Sequence, residues 1–331
     1  MAKYYGIGGK RKGSVGNETY SIVKGTNVVK AKIIQVNDAK TPDQLEQRSK
    51  LQNVVKSFQN LGTEFLSKCF EKKKQKQSTY NAYVSLNAKL AQPMYKKYSD
   101  DRNIIGIGNF EISNGSLPSL PVIKSAKIQE NEKDYYYYGI DLGAEIDADA
   151  TIATVTNALI TKYNLSEGML LNGISIYNEG VSFKNDVNDP FTLGLVYSVK
   201  RAKNNFILNK TANDKIITKG FKVVNDGNTK LLVLLDENSN ERIAEGCVAE
   251  TTDEEIGSIG YCAYFVSNKV NGKILVSTSR ANNNKGLNDL INLINANPQN
   301  LRGWLSTAMK ILIVMSYGIK KVIEIIRDWP I

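Results

Sequence analysis

The sequence contains no histidine, only three cysteines and only two tryptophans. Without histidine, the usual general base near neutral pH and the commonest metal ligand are both missing. Ser–His and Cys–His nucleophilic pairs are excluded, and there is no G-x-S-x-G elbow. Any chemistry would have to run on carboxylates, lysine, tyrosine or cysteine. The cysteines (Cys69, Cys247 and Cys262) are odd in number and lack a CxxC spacing, which argues against a disulfide framework or a zinc site. A reducing, intracellular origin fits them better. Long apolar runs are also scarce. The longest, 311–319, lies between Lys310 and Lys320, too short to span a bilayer. The N-terminus lacks the apolar core of a signal peptide. A soluble protein made in a cytoplasm is expected, with no membrane span and no cofactor.

Charge is plentiful but unevenly placed. Residues 1–80 hold 16 Lys and Arg against 6 Asp and Glu, which is the whole net charge of +10, and the remainder is balanced. Such segregation marks one end as a contact segment for an acidic partner. Residues 6–16 (GIGGKRKGSVG) contain five glycines around Lys10, Arg11 and Lys12 and read as an irregular basic loop. A phosphate-binding P-loop is ruled out by order, because the lysines precede Gly13-Ser14 and no strand is expected before residue 6. Two strands, 19–24 and 28–34, follow, with Gly25-Thr26-Asn27 as the turn. Thr41, Pro42 and Asp43 then start a helix running to about residue 60. Further helices are expected over 63–71 and 78–90, with a lysine-rich linker at 72–76.

From residue 104 the texture becomes β-rich. Strands are expected at 110–112, 135–140, 173–177, 192–199, 215–217, 219–224, 231–235, 259–266 and 273–276. Turns fall at Asp226-Gly227 and Asn271-Gly272. One helix interrupts them, capped by Thr151 or Thr154 and ending at Asn164. The tail, from Leu287 through Trp304 to Trp329, repeats at helical spacing. The expected fold is α+β: a basic β-hairpin and helices over 1–100, antiparallel sandwich-like β modules over 101–210 and 211–285, and a helical tail over 286–331.

Two constellations invite a functional reading. Tyr135, Tyr136, Tyr137 and Tyr138 place tyrosines on both faces of a strand: either one face lies in the core and the other at an interface, the reading preferred, or the strand is fully internal. Asp141, Glu145, Asp147 and Asp149 cluster just beyond. The last three alternate with Ile146 and Ala148, and a solvated strand edge or helix N-terminus is favoured over a calcium site. Asp141 and Glu145 would be the candidates for a two-carboxylate glycosidase, a reading set below assembly.

The stretches G-K-R-K-G-S-V-G-N (9–17) and T-P-D-Q-L-E-Q-R (41–48) resemble an uncharacterised family of gut Bacteroidetes bacteria and their phages. The hairpin I-G-Y-C-A-Y-F-V-S-N-K-V-N-G-K-I-L-V-S-T-S (259–279) is similar to that family's closing hairpin. The segment N-L-S-E-G-M-L-L-N-G-I-S-I-Y (164–177) is similar to a helix–strand module of crAss-like gut phages. The resemblance supplies no catalytic residues. It implies a virion structural protein, a tail or head-to-tail connector ring subunit forming a homo-oligomer, made in the bacterial host cytoplasm. Lys10, Arg11 and Lys12 would dock on neighbouring virion proteins or packaged DNA. Tyr135–Tyr138, Trp304 and Trp329 would supply apolar contacts. The rival expectation is a nucleic-acid-binding packaged or accessory protein.

Overall fold

The computed structural model describes residues 2–3, 12–23, 26–32, 42–71, 77–92, 108–143, 146–178, 183–184, 192–193, 199–237, 241–250, 255–256 and 259–289. The chain divides into two compact units, Met1–Leu45 and Glu46–Ile331. Among the described residues every strand-to-strand pairing is antiparallel, and the fold is α+β and β-rich.

The first unit is one sheet. Its strands are β1 (Ala2–Lys3), β2 (Gly13–Val15), β3 (Glu18–Val23) and β4 (Thr26–Ala31), in the order β1-β4-β3-β2. Two expectations change here. Val23 pairs with Thr26, so Thr26 and Asn27 are strand residues and not a three-residue turn. A strand does precede residue 6: Ala2 and Lys3 pair with Val29 and Val28.

In the second unit two strands carry the architecture. β17 (Ile259–Val270) lies between β9 (Leu170–Asn178) and β18 (Lys273–Val276), and β12 (Val199–Ile207) forms the edge beyond β9. β20 (Asn282–Asn283) also pairs with β17. β9 and β17 bury both faces. Ile174, Ile176, Tyr261, Ala263 and Phe265 point to one side. Leu171, Tyr177, Cys262, Tyr264 and Val266 point to the other. This strict period of two lets one sheet serve two cores.

One core is helical. α1 (Pro42–Leu61), α2 (Thr63–Ser67) and α3 (Thr79–Asn87) pack Val54, Phe58, Leu61, Leu66 and Tyr83 onto that sheet. α1 stops where Gly62 adopts a left-handed φ of 84°. Ser78 caps α3 by accepting from Asn81 N–H at 3.1 Å. α2 is shorter than the expected 63–71. The linker at 72–76 and the cap Thr41 lie outside the described residues.

The other core is a sandwich. A second sheet, in the order β13-β14-β8-β15, is built from β13 (Phe221–Asn225), β14 (Lys230–Leu234), β8 (Lys133–Asp141) and β15 (Val248–Glu250). β6 (Val122–Lys124) and β7 (Ile128–Glu130) pair with β8 as well. α4 (Ile152–Tyr163) adds Ile152, Val155 and Leu159 to this core. Thr151 caps it through Thr154 N–H at 3.3 Å, and Asn164 ends it in the left-handed conformation, as expected from the sequence.

Strands from 101–210 and 211–285 share both sheets: β8 pairs with β14 and β15, and β9 with β17. No break in the hydrogen bonding therefore follows residue 210. Of the strand expected at 192–199, Thr192–Leu193 is a strand and β12 begins at Val199, while 194–198 lie outside the described residues. β12 is an edge strand whose interior buries only Ala202 and Phe206, so its apolar signal is weak. Residues 216–219, expected within strands, form a 3-10 turn that Gly220 closes at φ 76°. The tail is helical at residues 285–289, and 290–331 lie outside the described residues. Among the described residues no helix is long and apolar enough to cross a membrane.

Candidate functional site

The cationic end comes first, because its charge singles it out. Lys10 and Arg11 lie outside the described residues. Lys12 is exposed directly before β2, and Lys30 and Lys32 are exposed at the end of β4. Cross-strand pairing sets Lys30 beside Thr19, and Thr19 beside Ser14. The Ser14 and Thr19 hydroxyls hydrogen-bond at 3.2 Å. Val28 and Ser21 share that face, and Tyr20, Ile22 and Val29 occupy the reverse. Among the side chains whose burial is described in this unit, Val28 is buried, Tyr20, Ile22 and Val29 are half-buried and Val23 is exposed. The described part of the sheet is a thin ribbon that presents lysines and hydroxyls.

The four tyrosines do not divide into one buried and one open face. Tyr137 and Tyr138 are buried, and Tyr135 and Tyr136 are half-buried. Burial therefore deepens along β8 instead of alternating. Tyr138 points to the interior, where burial first, and the neighbouring Cys262 next, push its pKa up to about 12. Tyr137, on the opposite face, is locked to Ser125: its N–H donates to Ser125 Oγ at 2.8 Å, and its carbonyl accepts from Ser125 N–H at 2.9 Å. Burial and a hydrogen bond with Glu130 raise its phenol pKa. Tyr135 stacks on Tyr137, with ring centroids 6.2 Å apart. Lys124 sits 3.6 Å over the Tyr136 ring. Only Tyr135 and Tyr136 retain surface to offer a partner.

The acidic cluster is committed to structure. Asp141 ends β8, pairs with Lys162 and accepts from Gly143 N–H at 2.8 Å. Asp147 and Asp149 lie exposed just before the N-terminus of α4, the second of the two solvated settings expected, and Asp149 meets Lys215 at 3.1 Å. Glu145, the second carboxylate of the glycosidase reading, lies outside the described residues, as do Trp304 and Trp329. Among the described residues no three metal-ligating side chains converge.

Sequence reasoning missed two asparagine clamps that hold the body together. Asn87, at the end of α3, donates from Nδ2 to the Glu111 carbonyl at 3.0 Å and accepts from Glu111 N–H at 2.7 Å. It thereby acts as one more strand residue beside β5 (Glu111–Ser113). Asn284 holds Gly260 in a related way, its backbone N–H donating to the Gly260 carbonyl at 2.9 Å and its Oδ1 accepting from Gly260 N–H at 3.1 Å. Asparagine in a helix end or a turn carries no periodic signal, so neither role was visible.

A family model described as a family of unknown function (DUF6266) matches residues 9–128. The match takes in β2 to β4, α1 to α3 and the strands through β6, and ends at the first residue of β7. It contains the stretches 9–17 and 41–48 that carry the resemblance. No curated protein and no solved structure matches the chain.

Proposed function

We propose that this chain is a structural subunit of a tailed bacteriophage particle, in a tail or head-to-tail connector ring, and that it works by assembly and not by catalysis. The observation that carries this reading is the described sheet of the Met1–Leu45 unit: four strands with exposed Lys12, Lys30 and Lys32, in which Val28 is buried and Tyr20, Ile22 and Val29 are half-buried. A sheet this thin gains its stability from what it lies against. Its charge selects an acidic neighbour. The second unit behaves as scaffold, with a central sheet covered on both faces. Tyr135 and Tyr136 add a second, partly apolar contact. Repeated weak contacts in a closed ring sum to a stable particle without an active site.

Native mass measurement of the full chain tests the reading. A discrete ring-sized oligomer that loosens with rising salt is expected, because the contacts of the ribbon are electrostatic. A monomer that binds duplex DNA with a steep salt dependence would overturn it in favour of a nucleic-acid-binding accessory protein.

A further inference from the structure

Cys247 and Cys262 are both fully buried and belong to the core between the two sheets, whereas Cys69 belongs to the helical core. Cys262 lies on β17 opposite Ser175 of β9. Cys247 closes the single turn Glu245–Cys247, which crosses the same strands. Gly246 of that turn sits so near β17 that a methyl group there would stand 2.5 Å from the Tyr261 carbonyl. The Tyr264 hydroxyl, two residues along β17 on the same face, is 3.5 Å from the Cys247 sulfur, and the two thiols interact directly.

We propose that Cys247 and Cys262 form a reversible disulfide when the folded protein meets a thiol oxidant, stapling the 245–247 turn to the central strand. The inference stands on the core geometry and does not depend on the phage reading. Burial opposes ionisation of Cys247, but its hydrogen bonds with Cys262, Tyr264 and Ser175 outweigh that and lower its pKa. Burial and the Cys247 neighbour raise that of Cys262. Cys247 lies on the short turn that opens and Cys262 on the central strand, so Cys247 attacks and Cys262 resolves. With a diazene oxidant such as diamide, the Cys247 sulfur adds to one nitrogen of the N=N bond. The Cys262 sulfur then attacks Cys247, forms the S–S bond and breaks the S–N bond. The thiols lose two protons and two electrons in total, and the diazene leaves as a hydrazine. Local opening of the one-turn helix admits the oxidant.

The experiment treats the folded full chain with diamide, alkylates the remaining thiols in denaturant, and maps the peptides by mass spectrometry. One alkylated cysteine, Cys69, and a linked Cys247–Cys262 peptide pair that dithiothreitol releases are expected. The melting temperature should rise on the order of 5 °C, as the link closes a short loop. Three alkylated cysteines, a link through Cys69 or between chains, or a link formed only after denaturation would each overturn the proposal. So would a crosslink that lowers the melting temperature.

Discussion

Asn284 holds Gly260 from both sides of its peptide: Asn284 N–H donates to the Gly260 carbonyl at 2.9 Å, and Gly260 N–H donates to Asn284 Oδ1 at 3.1 Å. The same side chain accepts from Leu287 N–H at 3.1 Å and donates from Nδ2 to the Glu245 carbonyl at 3.2 Å. One buried amide thus joins the central strand, the 245–247 turn and the start of the tail helix. Asn284→Ala leaves several buried backbone groups without partners and should cost about 2–4 kcal/mol. Asn284→Asp keeps the acceptor but loses the Nδ2 donor, so it should still destabilise. Urea titration checks both; equal loss for Ala and for a surface control such as Asn228→Ala would refute the clamp.

Where the turn that Asn284 anchors meets β17, at Gly246 and Gly260, there is no room for a side chain. A methyl group on Gly260 would meet Tyr177 Cβ at 2.8 Å and the Gly246 Cα at 2.9 Å. Neither glycine has a positive φ, so the demand is for space and not for backbone freedom. Gly260→Ala and Gly246→Ala should each cost about 2–3 kcal/mol or more through overpacking. Gly168→Ala meets no atom within 4 Å but has φ 84°, and about 1 kcal/mol of strain is expected there. Melting temperatures of the three variants should rank accordingly.

These contacts show where sequence reading succeeds and where it stops. β17 and β18 were legible because short apolar, β-rich runs flank the Asn271-Gly272 turn, whose two residues the structure places at φ 49° and 77°. The cap at Thr151 and the stop at Asn164 follow from local chemistry alone. The sharing of sheets across residue 210 was hidden because pairing between distant strands leaves no local trace. At the candidate site, charge segregation pointed to the N-terminal sheet, but which of its described side chains are buried became visible only in the structure. Four consecutive tyrosines cannot show by pattern alone whether one or both faces of a strand are buried, and β8 buries Tyr137 and Tyr138 on both.

Asp226 gives a pH signature. Its carboxylate accepts from Ala126 N–H at 2.7 Å, Asn228 N–H at 2.9 Å, Thr229 N–H at 2.6 Å and Thr229 Oγ at 2.8 Å. Burial raises its pKa, but these hydrogen bonds outweigh that and lower it from 3.8 to about 2. The native state therefore binds a proton less readily than the unfolded chain. The stability it adds is complete above about pH 4 and disappears as the pH falls through about 2. Asp226→Asn should cost about 1–2 kcal/mol at pH 6, allowing for solvent screening, and nothing below pH 2. A difference between the two proteins that does not change with pH would contradict this.

Lys203 ties the edge strand to the helical layer. Its Nζ donates to the Leu61 carbonyl at the end of α1, at 3.3 Å, and lies 5.0 Å from the Phe65 ring centroid. Burial first, and Arg201 beside it, lower its pKa. Lys203→Met keeps the packing of the stem but removes the charge-assisted cap and the cation–π contact, and about 1 kcal/mol should be lost. Lys203→Arg should recover part of it. Hydrogen exchange of the amides in α1 and α2 would localise the change; an effect confined to β12 would argue against the tie.

The ribbon makes the sharpest functional demand. Reversing Lys12, Lys30 and Lys32 to glutamate replaces three exposed cations and touches no buried side chain. Surface changes of this kind leave folding stability within about 0.5 kcal/mol. The melting transition of the second unit should therefore stay where it is. Attraction to an acidic neighbour becomes repulsion, so the oligomer should fall apart at low salt, where electrostatic contacts are strongest. High salt screens both signs, so the variant and the natural chain should converge there. A variant that assembles normally at low salt would show that the ring, if it forms, is held by other surfaces, and the role given to the cationic ribbon would fall with it.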